Sequence, residues 1–309
     1  MRIPSPERLR VTSRHPTWIA PLLVLVPLLI LGACASDRSS KTTPVNEEAL
    51  FWRANYDFMR GRYEDAREKL RLFVSQFPDN PVVPEVRLGI ARTFFEEENY
   101  EQARVEYERF LTFHPRHDRM DEALYYIGLS YFRQMEKVDR DQTASRRAVV
   151  AFRRLMTEVP DTPYKEDAKA KITTARRRLA AQEINVGLFY LKRDKLKGAT
   201  GRFQRVLDRY TGTGLEPKAL FYLGETYASM EKEEEAQEMY QQVLEKYPDS
   251  RWAVECGDRL GIKVVLQSRP DENNKKYPEE ETGGIWGLFK ESWEEIKTAF
   301  KNTLNSPPE

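Results

Sequence analysis

The chain has 309 residues, with 50 lysines and arginines against 49 acidic residues and a net charge of +1. So even a balance lacks the basic field of a nucleic-acid binder. The only two cysteines, Cys34 and Cys256, leave no disulfide framework, so the fold must hold by packing alone.

Four arginines (Arg2, Arg8, Arg10, Arg14) precede an apolar run from Trp18 to Leu31. The run is shorter than the roughly 20 residues of a spanning helix, and Pro21 and Pro27 interrupt it, so it reads as a secretory signal. It closes on Leu31-Gly32-Ala33-Cys34, which resembles the lipobox of bacterial lipoproteins. That resemblance implies a covalent lipid on Cys34 as the only cofactor, with cleavage leaving residues 1–33 behind. Ala35 follows the cysteine, and by the sorting rule of enterobacterial lipoproteins a residue other than aspartate there implies the outer membrane. Residues 34–46 are polar and read as a flexible tether between lipid and domain.

From Glu47 the pattern turns helical and repeats. Ala66 and Ala103 lie 37 residues apart, as do Pro78 and Pro115, and again Ala199 and Ala236. A period of this size predicts stacked helical hairpins. The pattern resembles the tetratricopeptide repeat, whose second helix carries a small residue, a bulky one four later and a proline past its end. Ala66, Leu70 and Pro78 supply these in the first unit; Ala103, Tyr107 and Pro115 in the second; Ala148, Phe152 and Pro160 in the third. The fourth has Ala199 and Phe203 but Thr211 in place of proline, and the fifth has Ala236, Tyr240 and Pro248. Small residues at Ala54, Ala91, Gly128, Gly187 and Gly224 mark where the two helices of each hairpin cross. The expected fold is all-α, an α-solenoid of five such hairpins over residues 47–263.

Two departures interrupt the period. The third unit has eight extra residues around Glu136 to Thr143. The fourth is displaced by 14 residues that lack helix breakers, which predicts one long helix from about Tyr164 to Lys192. Those residues lengthen it by roughly 21 Å, and it is expected to project from the array as a docking strut. Residues 264–284 read as a linker. In the tail, residues 285–309, Trp286, Phe289, Trp293, Ile296 and Phe300 fall on one stripe of a separate amphipathic helix. That stripe could fold back on the array, take a partner, or lie on a membrane; Trp286, Phe289 and Trp293 are its candidate contact residues.

No catalytic constellation appears: there is no phosphate loop and no nucleophile elbow. His114 and His117 read as helix-end residues rather than metal ligands, so no enzyme activity and no metal are expected. The groove-side positions of the first helices instead place aromatics in the first three units. Phe51, Phe58, Phe95, Tyr125 and Phe132, with Arg92, form a candidate groove for an extended segment with aromatic side chains and a negative end. The competing reading packs these aromatics between neighbouring helices.

The runs Phe110 to His117, Asp139-Arg140-Asp141, Glu158 to Tyr164 and Ile184 to Arg193 together resemble the BamD family. Members are lipoproteins on the periplasmic face of the outer membrane, and the resemblance covers about residues 34–262. It implies a scaffold of the β-barrel assembly machine. Its partners would be the POTRA domains of a BamA-type barrel protein, other assembly-machine lipoproteins and unfolded outer-membrane proteins. Arg202 falls at the family arginine that meets a POTRA domain, and Phe77 at a family aromatic linked to substrate recognition, where phenylalanine replaces tyrosine. Thr211-Gly212 departs from the family's Pro-Asp, and the stripe from Trp286 has no counterpart in short-tailed members. A pilotin-like escort for a secretin and a periplasmic adaptor for a cell-wall enzyme are the alternatives.

Overall fold

The computed structural model describes residues 46–266, and these form eleven helices with no strand among them. The signal, Cys34, the tether up to Val45, and the stripe of Trp286, Phe289 and Trp293 lie outside the described residues. Ten helices pair into five hairpins. These are α1 (Glu47–Met59) with α2 (Tyr63–Gln76), α3 (Val83–Glu96) with α4 (Tyr100–Phe113), and α5 (Met120–Arg133) with α6 (Thr143–Glu158). Next come α7 (Lys165–Leu191) with α8 (Leu196–Arg209) and α9 (Glu216–Ser229) with α10 (Glu233–Lys246). Each helix packs on the next in sequence, the stacking of a solenoid. The expected all-α solenoid of five tetratricopeptide-like hairpins is what the chain adopts.

The repeated residues hold the hairpins together as their sizes demand. Ala66, Ala103, Ala148, Ala199 and Ala236 are all buried, and four residues on Leu70, Tyr107, Phe152, Phe203 and Tyr240 fill the space beside the crossing. In the last three units the crossing residue is glycine because a ring occupies its Cβ position. A Cβ on Gly128 would lie 2.6 Å from the Phe152 ring, one on Gly187 2.6 Å from Phe203, and one on Gly224 2.5 Å from Tyr240.

The turn inside the hairpin is also repeated, in a way the residue types conceal. Gly61, Glu98, Asp194 and Glu231 all have positive φ, and each lies five positions before its unit's buried alanine. In each case the next amide, of Arg62, Asn99, Lys195 or Lys232, reaches back to a carbonyl of the preceding helix. The third unit replaces this turn with its insertion.

The connection that carries the insertion, Gln134 to Gln142, is tied down. Buried Gln142 donates from Nε2 to the carbonyls of Lys137 (2.8 Å) and Arg140 (3.2 Å) and accepts from the Ser145 hydroxyl. From α7, Arg178 donates to the carbonyls of Met135 (3.0 Å) and Glu136 (2.7 Å). Arg178→Ala is expected to speed amide hydrogen exchange in residues 135–142 about tenfold, with little change in the protein's melting temperature. Unaltered protection of that loop would show that Arg178 does not hold it.

The long helix has the predicted length, ending within a residue of expectation at both ends, but it does not project. Its buried residues run its whole length: Ala168, Ile172, Ala175 and Leu179, then Ala180, Ile184 and Gly187. The step of one residue between Leu179 and Ala180 rotates the buried stripe by about 100°. The first half faces the third hairpin and belongs to the apolar body that begins at Leu50; the second half faces α8 and belongs to the next body. The 14 extra residues therefore weld two hairpins together.

An eleventh helix, α11 (Arg251–Leu260), was not anticipated and packs against α10 and α9. Ser250 accepts from the Ala253 amide at its start, and Gly261 at φ 68° ends it. Ala253, Cys256 and Gly257 form its buried face. The departure at Thr211-Gly212 also resolves. Tyr210 leaves α8 in nearly the conformation of the residues before proline in the other units. The Glu216 carboxylate then accepts the amides of Gly212 and Thr213 and replaces the rigidity of the missing proline.

Candidate functional site

Two regions carry residues singled out from the sequence. The first is the junction of α7 and α8. Glu183, on the second half of α7, accepts from Arg202 Nη1 at 3.0 Å and from Arg205 Nη1 at 3.0 and 3.2 Å. Arg202 and Arg205 stand three residues apart on α8, so one carboxylate reaches both. The Arg202 guanidinium also lies 5.9 Å from the centre of the Tyr190 ring. The side chains of Arg202 and Arg205 keep about a third of their surface in solvent, whereas Glu183 is mostly covered. Two arginines share one acid, so the junction presents net positive charge on a rigid base. The hydrogen bond to Glu183 raises the pKa of Arg202, which keeps it charged. Near the end of α7, Phe189 is half exposed, with Arg193 stacked 3.6 Å from its ring centre.

The second region is the aromatic half, and here the structure corrects the sequence. Phe51, Phe95 and Tyr125 do not line an open groove; all three are buried. Phe51 packs on Phe73 (6.1 Å between ring centres), and Phe95 packs edge-on against Tyr100 and Tyr126. Tyr125 stacks on Tyr164 at 4.3 Å and donates its hydroxyl to Asp167. The cause is geometric: the side of a first helix that faces the groove also faces the next hairpin, and large rings are covered by it. Phe58, Phe77 and Phe132 remain half-buried, with edges on Tyr63, Phe73 and Phe152 respectively.

Arg92 is likewise not the open cation expected for a negative chain end. Its Nε donates to Glu122 at 2.6 Å, and Arg119 reaches the other oxygen of that carboxylate from Nε at 3.0 Å. Burial alone would raise the pKa of Glu122, but Arg92 and Arg119 outweigh it and hold the carboxyl below its ordinary value. Arg92 therefore serves the interface between the second and third hairpins.

The His-Pro-Arg-His sequence sits where α4 ends and α5 begins. His117 accepts the Arg119 amide at 3.2 Å and lies 3.3 Å from Glu85. Among the described residues no group of three or more histidine, cysteine or acidic side chains is arranged to hold a metal, and no helix is long and apolar enough to cross a membrane.

The family model described as "YfiO: Outer membrane lipoprotein" matches residues 44–242. The outer membrane protein assembly factor BamD of Caulobacter vibrioides is 31% identical over 237 residues, covering 75% of this chain and 77% of that protein. The protein of the same name from Rickettsia prowazekii is 29% identical over 229 residues, covering 74% of this chain and 91% of its own. Among solved structures, a thermophilic TPR protein of Thermus thermophilus is 19% identical, covering 70% of this chain and all of that one, with a TM-score of 0.30. Matched across the helical array, with the insertion and the welded long helix inside the matched span, the chain belongs to the YfiO family of outer membrane lipoproteins, that of the outer membrane protein assembly factor BamD.

Proposed function

We propose that this chain is a non-catalytic scaffold, anchored through lipid on Cys34 to the periplasmic face of the outer membrane. It binds the POTRA domains of a BamA-type barrel protein and holds unfolded outer-membrane proteins for insertion. The observation that supports this reading most is the α7–α8 junction. Arg202, which by resemblance falls at the family's POTRA-binding arginine, stands partly exposed on a helix welded to its neighbour, with Glu183 fixing its direction. A rigid, oriented cation over the Tyr190 ring suits a protein surface with an acidic group. The substrate role rests on the partly exposed aromatic edges that remain on the first hairpin, Phe58 in α1 and Phe77 at the end of α2, rather than on a deep groove.

Arg202→Glu is expected to weaken binding to the POTRA module of the same organism about tenfold, roughly 1.4 kcal/mol. Isothermal titration on the folded variant measures it. Unchanged affinity, with helicity retained, would remove Arg202 from the interface and count against the proposed mode of binding.

A further inference from the structure

Charge is segregated along the array. Residues 143–209, which build α6, α7 and α8, hold 17 lysines and arginines against 7 acidic residues, a net charge of +10. The described residues before them, 46–142, hold 15 against 20, and those after them, 210–266, hold 6 against 11, so each flank carries −5. Several of the cations gather where α7 and α8 run side by side. Arg176, Glu183 and Tyr190 recur every seven residues, which puts them on one stripe of α7. Arg202, Arg205 and Arg209 share one stripe of α8 for the same reason. The two stripes meet antiparallel. Tyr190 meets Arg202, Glu183 accepts from Arg202 and Arg205, and Arg176 donates from Nη2 to the backbone carbonyl of Arg209 at 3.0 Å.

Four arginines therefore line this seam against one carboxylate, Glu183, over a rise of about 10 Å from Arg202 to Arg209. Arg176 caps the end of α8 and leaves the Arg209 side chain exposed. The one acid of α8, Asp208, is bound to Gln204 instead, at 2.9 Å. A single carboxylate cannot neutralise the row. Arginines seated on two packed helices present their planar forks in fixed directions, the geometry that binds carboxylates bidentately. We propose that the whole seam, from Arg202 to Arg209, is the contact for an acidic segment of a partner protein, with one carboxylate for Arg202 and a second, about 10 Å along, for Arg209. That the partner is a POTRA domain rests on the proposed assembly with a barrel protein; the acidic chemistry of the contact rests on the seam.

The test uses the full mature chain, produced without lipid on Cys34, and a fluorescein-labelled octaglutamate peptide. Anisotropy is read at low ionic strength, where such contacts are least screened. Arg205→Gln with Arg209→Gln should weaken peptide binding about tenfold with helicity unchanged. Arg146→Gln with Arg153→Gln, two exposed cations of α6, should leave it unaltered. Equal loss in the two pairs, or no binding by wild type, would overturn the proposal. So would seam-dependent sedimentation with phosphatidylglycerol vesicles, or a salt-sensitive dimer lost in the seam variant. A lipid surface, or the acidic flank of a second copy, would then be the occupant. On the POTRA module, Arg209→Glu should weaken binding about tenfold, as Arg202→Glu does. Affinity lowered by Arg202→Glu but unchanged by Arg209→Glu would overturn the seam and keep the assembly. A wild type that ignores the POTRA module but binds the peptide through Arg205 and Arg209 would do the reverse.

Discussion

Gly224→Ala is expected to destabilise the protein by about 1–3 kcal/mol, although the same change in an open helix would stabilise it by roughly 1 kcal/mol. The sign turns on Tyr240. An alanine Cβ at Gly224 would come within 2.5 Å of its ring, and that ring cannot swing away. It is buried, and its hydroxyl donates to Glu225 at 2.7 Å, a carboxylate that Arg259 of α11 also holds at 2.8 and 3.0 Å. Accommodation must come from the helix axes moving apart, which loosens every contact along the hairpin. Gly201 is the internal control, since nothing lies within 4 Å of its Cβ position. Gly201→Ala should raise the urea midpoint while Gly224→Ala lowers it. If both raise it, the crossing glycines are not there for packing.

Glu122→Leu is expected to cost about 3 kcal/mol, the lower end for breaking a buried ion pair. The carboxylate is 3% exposed and bound by Arg92 and Arg119. Leucine would leave two cations facing each other across an apolar contact, relieved in part because both arginines keep some contact with solvent. The double variant Arg92→Leu with Glu122→Leu should recover part of the loss, and the difference measures the coupling. The same site gives a pH signature. The folded carboxyl titrates below its unfolded value, so the unfolded chain takes up the proton first as pH falls. Its contribution is complete above the unfolded pKa of about 4.3 and is lost as pH drops through the folded value. Wild type should lose stability across that acid range faster than Glu122→Leu does. Parallel curves would mean that Glu122 is not held charged.

How far the sequence could be read depends on how narrowly each position is constrained. Ala66, Ala103, Gly128, Gly187 and Gly224 were legible because close helix contact admits only small residues, and the period repeats that demand. The length of α7 was legible because 14 residues without a breaker have no reason to stop a helix. Its packing was not, because the step from Leu179 to Ala180 is a change of facing neighbour that no local period encodes. The hairpin turns were hidden at Glu98, Asp194 and Glu231, where the left-handed backbone is imposed by the helices on either side rather than declared by glycine. The groove reading misplaced Phe51, Phe95 and Tyr125, because counting along one helix cannot say what the next hairpin covers. Arg92 was misread for a related reason: its partner lies 30 residues away. Arg202 was located by resemblance alone, and the structure supplies its setting in Glu183, Arg205 and Tyr190.

The central claim is that this chain assembles with a POTRA-bearing barrel protein. Affinity purification of the full protein from detergent-solubilised envelopes, followed by mass spectrometry, tests it most directly. Stoichiometric recovery of a BamA-type protein, diminished by Arg202→Glu, is the predicted result. Recovery of a secretin or a cell-wall enzyme without that partner would contradict it.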